Sequence, residues 1–392
     1  TSHSRVLIGK MRPSTEDIKL IVEAITNNDR GIIVCGPILK PDLVPLIADL
    51  AKRTRYPVIA DPLSNLRAGP HDLEQIVDNY DLFMRDPVLI EDLVPEIIVR
   101  FGSWPTNRPL MNFLESTRMA KHIYIGDGEW SDPLHLNSIT IRADPALSVE
   151  KLCENLTSSN LISHFLDRWL TLRDYTNQAI RQHLSVMDEL FEGKIFNELS
   201  TFIPDGTTLF AGNSMPVRDM DTYFPLISKS IRFQSNRGVN GIDGVVSTAL
   251  GSSAASEEKL VLVIGDVSFY HDMNGLLAAL RYGIDATIIV INNDGGAIFS
   301  FLPQYDHKEH FEDLFGTPHG LNFQFAADFY RLPYTKITSW KEFKVAVSDS
   351  LSNKGTSIIE IPGERENNLL LHNKLSHAIL ATVKDAFYNH SN

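Results

Sequence analysis

Apolar positions along the chain alternate between two patterns. Short unbroken apolar runs read as strands buried on both faces: Gly31 to Gly36, Pro57 to Asp61, Glu96 to Phe101 and His122 to Gly126. Between them, Thr15 to Thr26 and Asp42 to Arg53 carry apolar residues at helical spacing, with Pro41 at the entrance of the second. A second block repeats the alternation, with strand patterns at Thr208 to Ala211, Ser230 to Gln234, Lys259 to Ile264, Ala286 to Asn292 and Ser357 to Ile361. Strands alternating with helices predict parallel sheets covered on both faces, so the expected fold class is α/β with two doubly wound parallel-sheet domains. From Leu147 to Phe202 no strand pattern occurs. Leu161, Phe165, Trp169 and Leu172 recur at helical spacing, as do Met187, Leu190, Phe191 and Phe196, and the stripe reads as core packing of joining helices. The expected division is a first domain over residues 1–160, a helical connection over 161–204 and a second domain over 205–392.

Composition removes several function classes. The 392 residues carry 36 Lys and Arg against 49 Asp and Glu, a net charge of −13, which argues against general nucleic-acid binding. No apolar run reaches the roughly 18 residues of a membrane span. The N-terminal residues Thr1 to Arg5 lack the apolar centre of a signal peptide. Two cysteines far apart, Cys35 and Cys153, form neither a disulfide framework nor a zinc cluster, and suit a reduced, cytoplasmic setting.

Candidate chemistry concentrates between Lys259 and Gln304. One strand pattern ends in Gly265-Asp266-Val267-Ser268, followed by a helical pattern from Asp272 to Tyr282, and the next strand ends in Asn292-Asn293-Asp294-Gly295-Gly296. Open α/β sheets bind ligands at the carboxyl ends of their strands. Mg²⁺ takes hard oxygen ligands and completes its shell with phosphate and water. Asp266 offers a carboxylate, Asn293 an amide oxygen and Gly295 a backbone carbonyl, while Gly265 and the start of the following helix offer N–H groups to a diphosphate. Each segment alone is more often a simple turn; together, on consecutive strands, they are far more specific. His271 and Asp272 precede the helical pattern, where Asp272 reads as a cap and His271 is left open.

The pattern resembles the diphosphate-binding motif of thiamine-diphosphate (ThDP) enzymes, Gly-Asp-Gly followed some 25 residues later by Asn-Asn, except that Val267 replaces the final Gly. Flanking segments narrow the resemblance: Gly212-Asn213-Ser214-Met215-Pro216-Val217-Arg218-Asp219, Ser235-Asn236-Arg237-Gly238-Val239-Asn240-Gly241-Ile242-Asp243-Gly244 and Ile298 to Gln304. They are similar to the 2-succinyl-5-enolpyruvyl-6-hydroxy-3-cyclohexene-1-carboxylate synthases of menaquinone biosynthesis. The resemblance spans essentially the whole chain and is strongest from Asp205 to Gln304. It implies that the first domain is the family's middle domain and the second its diphosphate-binding domain.

That resemblance implies ThDP and Mg²⁺ as cofactors, with Mn²⁺ as an alternative. The reaction is decarboxylation of 2-oxoglutarate and conjugate addition of the succinyl carbanion equivalent to isochorismate. It implies cofactor contacts from Ser214, Asn240, Gly241, Ile242, Gly265, Asp266, Val267, Ser268 and Asn293, with the metal on Asp266, Asn293 and Gly295. Ile242 would hold ThDP bent, although from its pattern alone it reads equally well as a core residue. Arg218, Arg237 and Arg108 resemble the family's carboxylate binders, a task suited to the two-pronged guanidinium; Phe299 and Leu302 resemble apolar pocket walls. Where the family has a second basic residue beside Arg108, this chain has Pro109. The family's activating Glu belongs to a pyrimidine-binding domain that precedes the middle domain. The resemblance therefore implies that this domain is missing, that no catalytic residue is assignable here, and that this chain alone is nearly inactive. It also implies a homodimer or homotetramer when intact. Two other readings stay open: another ThDP-dependent 2-oxo-acid decarboxylase or carboligase, and a non-catalytic cofactor-binding protein. A dinucleotide site is disfavoured because Gly238, Gly241 and Gly244 have the wrong spacing.

Overall fold

Every apolar run expected as a strand forms one, because a run with no polar break can lie only where both faces of a sheet are covered. The computed structural model describes residues 7, 9–128, 131–157 and 163–389. Two units form, one from residues 1–67 and 71–174, the other from 68–70 and 175–392. The division falls within the helix His164–Ser185, inside the segment expected as a helical connection.

In the first unit, β1 (Gly31–Cys35), β2 (Val58–Ala60), β3 (Ile76–Val77), β4 (Ile97–Phe101), β5 (Lys121–Gly126) and β6 (Ile139–Arg142) build one parallel sheet in the order β3-β2-β1-β4-β5-β6. The helix Thr15–Thr26 begins with a reciprocal cap: Asp17 N–H donates to Ser14 Oγ and Ser14 N–H to Asp17 Oδ2, each at 3.0 Å. Trp169 is fully buried and meets Phe83, Phe113 and Phe165 edge-on at 6.0, 5.8 and 6.4 Å. The aromatic stripe is therefore core. Its first expected member, Leu161, lies outside the described residues.

In the second unit, β7 (Thr208–Ala211), β8 (Arg232–Gln234), β9 (Leu260–Gly265), β10 (Ala286–Asn292), β11 (Tyr334–Lys336) and β12 (Thr356–Pro362) form a parallel sheet ordered β11-β12-β10-β9-β7-β8. Leu262, Ile264, Ile288 and Val290 present one sheet face to Phe269, Leu276 and Phe323, forming the buried layer beneath the strand ends. The chain leaves β7 for β8 on one side and then crosses to β9 on the other, so a crevice opens at the carboxyl ends of these strands.

Three expectations are corrected here. Met187, Leu190 and Phe191 belong to irregular chain, and the helix begins only at Lys194. The helical pattern expected from Asp272 starts earlier, at Asp266, runs to Asp272, passes through a tight turn at Met273–Gly275 and resumes at Leu276–Tyr282. Its buried residues include Asp266, Ser268 and Asp272, so no apolar period announces it. Asp272 does cap a helix, but a different one: it accepts Ser247 N–H at 2.6 Å and Ser247 Oγ at 2.9 Å, in the first turn of Val245–Ala254.

One polar cluster anchors the first unit. Asp144 accepts Leu147 N–H at 3.1 Å, capping the helix Pro145–Asn155, and takes Lys40 Nζ at 3.0 Å, with Lys10 at 3.6 Å. Burial raises the Asp144 carboxyl, but Leu147, Lys40 and Lys10 together hold it below the ordinary carboxylate value. Asp144→Ala should lower the urea-unfolding free energy of this unit by about 1–3 kcal/mol, and Asp144→Asn by less because its amide oxygen still caps. The charge-dependent part is present above about pH 4 and is lost as pH falls through the lowered value, so the gap between wild type and Asn should shrink in acid. An equal gap at pH 3 and pH 7 would contradict this.

Candidate active site

Asp266 is the first residue of a helix whose entry is Gly265, at the end of β9. The residue is 1% exposed. Oδ1 accepts Val267 N–H at 2.6 Å, and Oδ2 accepts Asn293 N–H and Gly295 N–H, both at 3.0 Å. One carboxylate thus joins the ends of two adjacent strands. Burial raises its proton affinity above the ordinary carboxylate value, and the Gly295 and Val267 amides and His319 offset this only in part.

Asn293 completes the junction. Its Nδ2 donates to Glu192 Oε1 at 2.7 Å, while its Oδ1 is buried without a hydrogen-bond partner. Such an orphaned acceptor is unusual and calls for a ligand. Gly295 sits at φ 137°, where an added Cβ would lie 1.9 Å from the Gly316 carbonyl oxygen, so only glycine fits. Asp294 Oδ1 accepts His319 N–H at 2.9 Å and Gly320 N–H at 2.7 Å, anchoring the loop that carries His319. Leu321 N–H donates to His319 Nδ1 at 3.0 Å, which leaves the ring hydrogen on Nε2. That nitrogen lies 3.2 Å from Asp266 Oδ2, without hydrogen-bond alignment.

A second junction forms at the ends of β7 and β8. Asn213 Nδ2 donates to the Gly241 carbonyl at 2.6 Å, and its Oδ1 accepts from Arg237 Nη1 at 2.9 Å. Ser214 has φ 77°, a left-handed conformation rare for a side-chain-bearing residue, at the entrance of the helix Met215–Tyr223; its carbonyl accepts from Arg218 Nη1 at 2.5 Å. Ser268 Oγ donates to the Ile242 carbonyl at 2.9 Å and ties the two junctions together. Ile242 is half-buried rather than a core residue, and Asn240 is exposed at φ 63°.

The structure therefore gathers Ser214, Arg218, Arg237, Asn240, Gly241, Ile242, Gly265, Asp266, Val267, Ser268, Asn293 and Gly295 at the carboxyl ends of β7 to β10, in the strand ends, the loops and the helix starts that follow them. The Val267 amide and the Ser268 hydroxyl are engaged by protein groups. Phe299 packs against Phe315 at 5.5 Å, and Leu302 is 41% exposed rather than core. Arg108 lies in the first unit, at the start of the helix Arg108–Ser116, and is exposed. His271 is exposed.

Three participants carry no local sequence signal. Glu192 is 3% exposed and stands 101 positions before Asn293. Burial pushes its carboxyl up to about 7; the Asn293 amide opposes the shift and Asp266 adds to it. His319 arrives from a loop after β10, and Asn213 reads from sequence as a turn residue. Among the described residues no group of three or more His, Cys, Asp or Glu could hold a metal ion, so a cation here needs amide and carbonyl oxygens. No helix among them is long and apolar enough to cross a membrane.

Comparison with known proteins places the chain beside ThDP enzymes. Residues 222–361 match the family "Thiamine pyrophosphate enzyme, C-terminal TPP binding domain", which contains both junctions apart from the Gly212-to-Arg218 and Glu192 segments. A 2-succinyl-5-enolpyruvyl-6-hydroxy-3-cyclohexene-1-carboxylate synthase of Bacillus cytotoxicus is 41% identical over 383 residues, 97% of this chain and 65% of the relative. One of Geobacillus thermodenitrificans is 42% identical over 368 residues, 94% of this chain and 62% of the relative. A solved Mycobacterium smegmatis structure, assigned as a thiamin diphosphate-dependent enzyme, superposes with a TM-score of 0.66 at 15% identity over 93% of this chain and 67% of that one, and so shares the fold. The chain thus spans slightly less than two thirds of these two curated relatives, and over that span it is similar to 2-succinyl-5-enolpyruvyl-6-hydroxy-3-cyclohexene-1-carboxylate synthases, with residues 222–361 matching the thiamine pyrophosphate-binding domain.

Proposed function

We propose that this chain provides the diphosphate- and metal-binding part of an enzyme that decarboxylates 2-oxoglutarate and joins the remaining four-carbon unit to isochorismate. The observation that carries the metal assignment is the unpartnered Asn293 Oδ1, buried beside the Asp266 carboxylate. These two oxygens and the Gly295 carbonyl form a hard-oxygen set of the kind Mg²⁺ or Mn²⁺ takes, with diphosphate and water completing the shell. Bound ThDP supplies the nucleophilic carbon and the electron sink that decarboxylation needs.

The chain's own residues bind and orient. Ser214, Asn240, Gly241, Gly265, Val267 and Ser268 frame the diphosphate end, and Ile242 is the half-buried apolar contact for the cofactor. Arg218 and Arg237, steadied by the Ser214 carbonyl and by Asn213, take substrate carboxylates. Phe299 and Leu302 wall the apolar side. The activating Glu belongs to a pyrimidine-binding domain, and the assembled enzyme is a homodimer or homotetramer. Two buried cysteines without a disulfide accord with a cytoplasmic setting.

Mass spectrometry of the product tests the reaction. The chain receives Mg²⁺, ThDP, 2-oxoglutarate and isochorismate, alone and with a polypeptide covering the unmatched third of the Bacillus cytotoxicus relative. Adduct from 2-oxoglutarate only, and only in the supplemented sample, is expected; turnover of pyruvate or an aromatic 2-oxo acid instead would move the protein to another ThDP branch. Asp266→Ala should weaken metal-dependent ThDP binding by about tenfold or more, read by fluorescence titration. Gly295→Ala should cost more than about 2 kcal/mol in urea unfolding, since it combines a forbidden φ with a backbone collision; a change below 0.5 kcal/mol, about the size of an ordinary surface substitution, would contradict the strained turn.

A further inference from the structure

An asparagine amide has two ends of opposite character, a carbonyl that accepts and an NH₂ that donates, related by a half-turn of the side chain. A metal takes only the carbonyl. At Asn293 the backbone N–H is held by Asp266 Oδ2, which fixes the main chain, but nothing on that bond selects which end of the amide faces the site. The selection is made on the opposite side, where Glu192 Oε1 accepts Nδ2 at 2.7 Å and leaves Oδ1 buried and unpartnered.

The segment carrying Glu192 is itself held in place. It joins the helices His164–Ser185 and Lys194–Phe202, and Lys194 Nζ donates to the Leu184 and Met187 carbonyls at 2.8 and 2.6 Å. Gly193 lies so close to the Tyr223 ring that a Cβ there would come within 2.4 Å of it. Glu192 therefore presents its oxygen from a fixed base.

We propose that Glu192 is a positioning residue for the divalent cation: by holding the NH₂ end of Asn293 it turns the carbonyl oxygen toward the metal. The proposal rests on the reading of Asp266, Asn293 and Gly295 as the metal site. Without Glu192 the amide can rotate, and half of its orientations present a donor to a cation.

The test is Mn²⁺ binding to the full chain in the presence of ThDP, read by the electron paramagnetic resonance of free Mn²⁺, with urea midpoints to verify folding. Glu192→Gln keeps an acceptor oxygen at the same reach without the charge, and should bind Mn²⁺ within about threefold of wild type. Glu192→Asp keeps the charge but withdraws the oxygen by one methylene, and should bind about tenfold or more weakly, the usual scale for outer-shell partners. In an Asn293→Ala background the two Glu192 variants should differ by less than twofold. The reverse order, with Asp near wild type and Gln weak, would mean that Glu192 acts by charge and would overturn the proposal. So would equal affinity in all variants, or an undiminished difference in the Asn293→Ala background. If wild type binds no more Mn²⁺ than Asp266→Ala, the metal-site reading itself fails, and the proposal with it.

Discussion

The second unit depends on one buried carboxylate. Placing Asp266 out of water is unfavourable in itself, and three backbone N–H groups offset the cost. Those donors follow two adjacent strands of a parallel sheet: β9 and β10 end on the same edge, so the residues after them meet although 27 positions separate Asp266 from Asn293. The amides do not fully compensate, which is why burial still raises the carboxyl's proton affinity. A site that holds a carboxylate, leaves an amide oxygen unpaired beside it and excludes water is short of positive charge. The same deficit that costs stability makes a cation welcome.

The Asn213 junction solves a different problem. Guanidinium groups on long side chains lose orientation unless something fixes them, and Asn213 and the Ser214 carbonyl do so for Arg237 and Arg218. Both contacts use neutral acceptors, so neither cancels the arginine charge. The two junctions are chemically separate, one built on a carboxylate and one on an amide, and Ser268 links them through the Ile242 carbonyl. A change in the arginines therefore need not disturb the Asp266 clasp.

How much of this was legible beforehand follows from the range over which each feature acts. Strands buried on both faces announce themselves as apolar runs, so β1, β2, β4, β5, β7, β9, β10 and β12 could be read directly, while the edge strand β8 (RFQ) is legible from its alternating pattern alone. The three unexpected strands lack that signature: β3 has two residues, while β6 (ITIR) and β11 (YTK) are polar edge strands with mixed exposure. Asp266, Asn293 and Gly295 were legible because both motifs follow consecutive apolar strands, whose carboxyl ends a parallel sheet brings to one edge. The helix at Asp266–Asp272 was not, since three of its buried positions are polar and mimic a turn. The roles proposed for Arg218, Arg237 and Ile242 rest on family resemblance, and the geometry of this chain adds what steadies the two arginines.

Glu192 marks the limit of such reading. A lone acidic residue in irregular chain between helices has the sequence profile of a solvated loop, and nothing near it reports a ligand. Its burial follows from neighbours that only the fold supplies: the strand ends and the Asn293 amide. Residues that touch a ligand sit where the sheet topology directs them, and so repeat among proteins of one fold. Residues that orient those contacts are recruited from whatever element packs nearby, and their chemistry becomes readable only as a hydrogen bond with a definite direction. At Asn293 that direction is the information: a donor spent on Glu192 is an acceptor kept for the site.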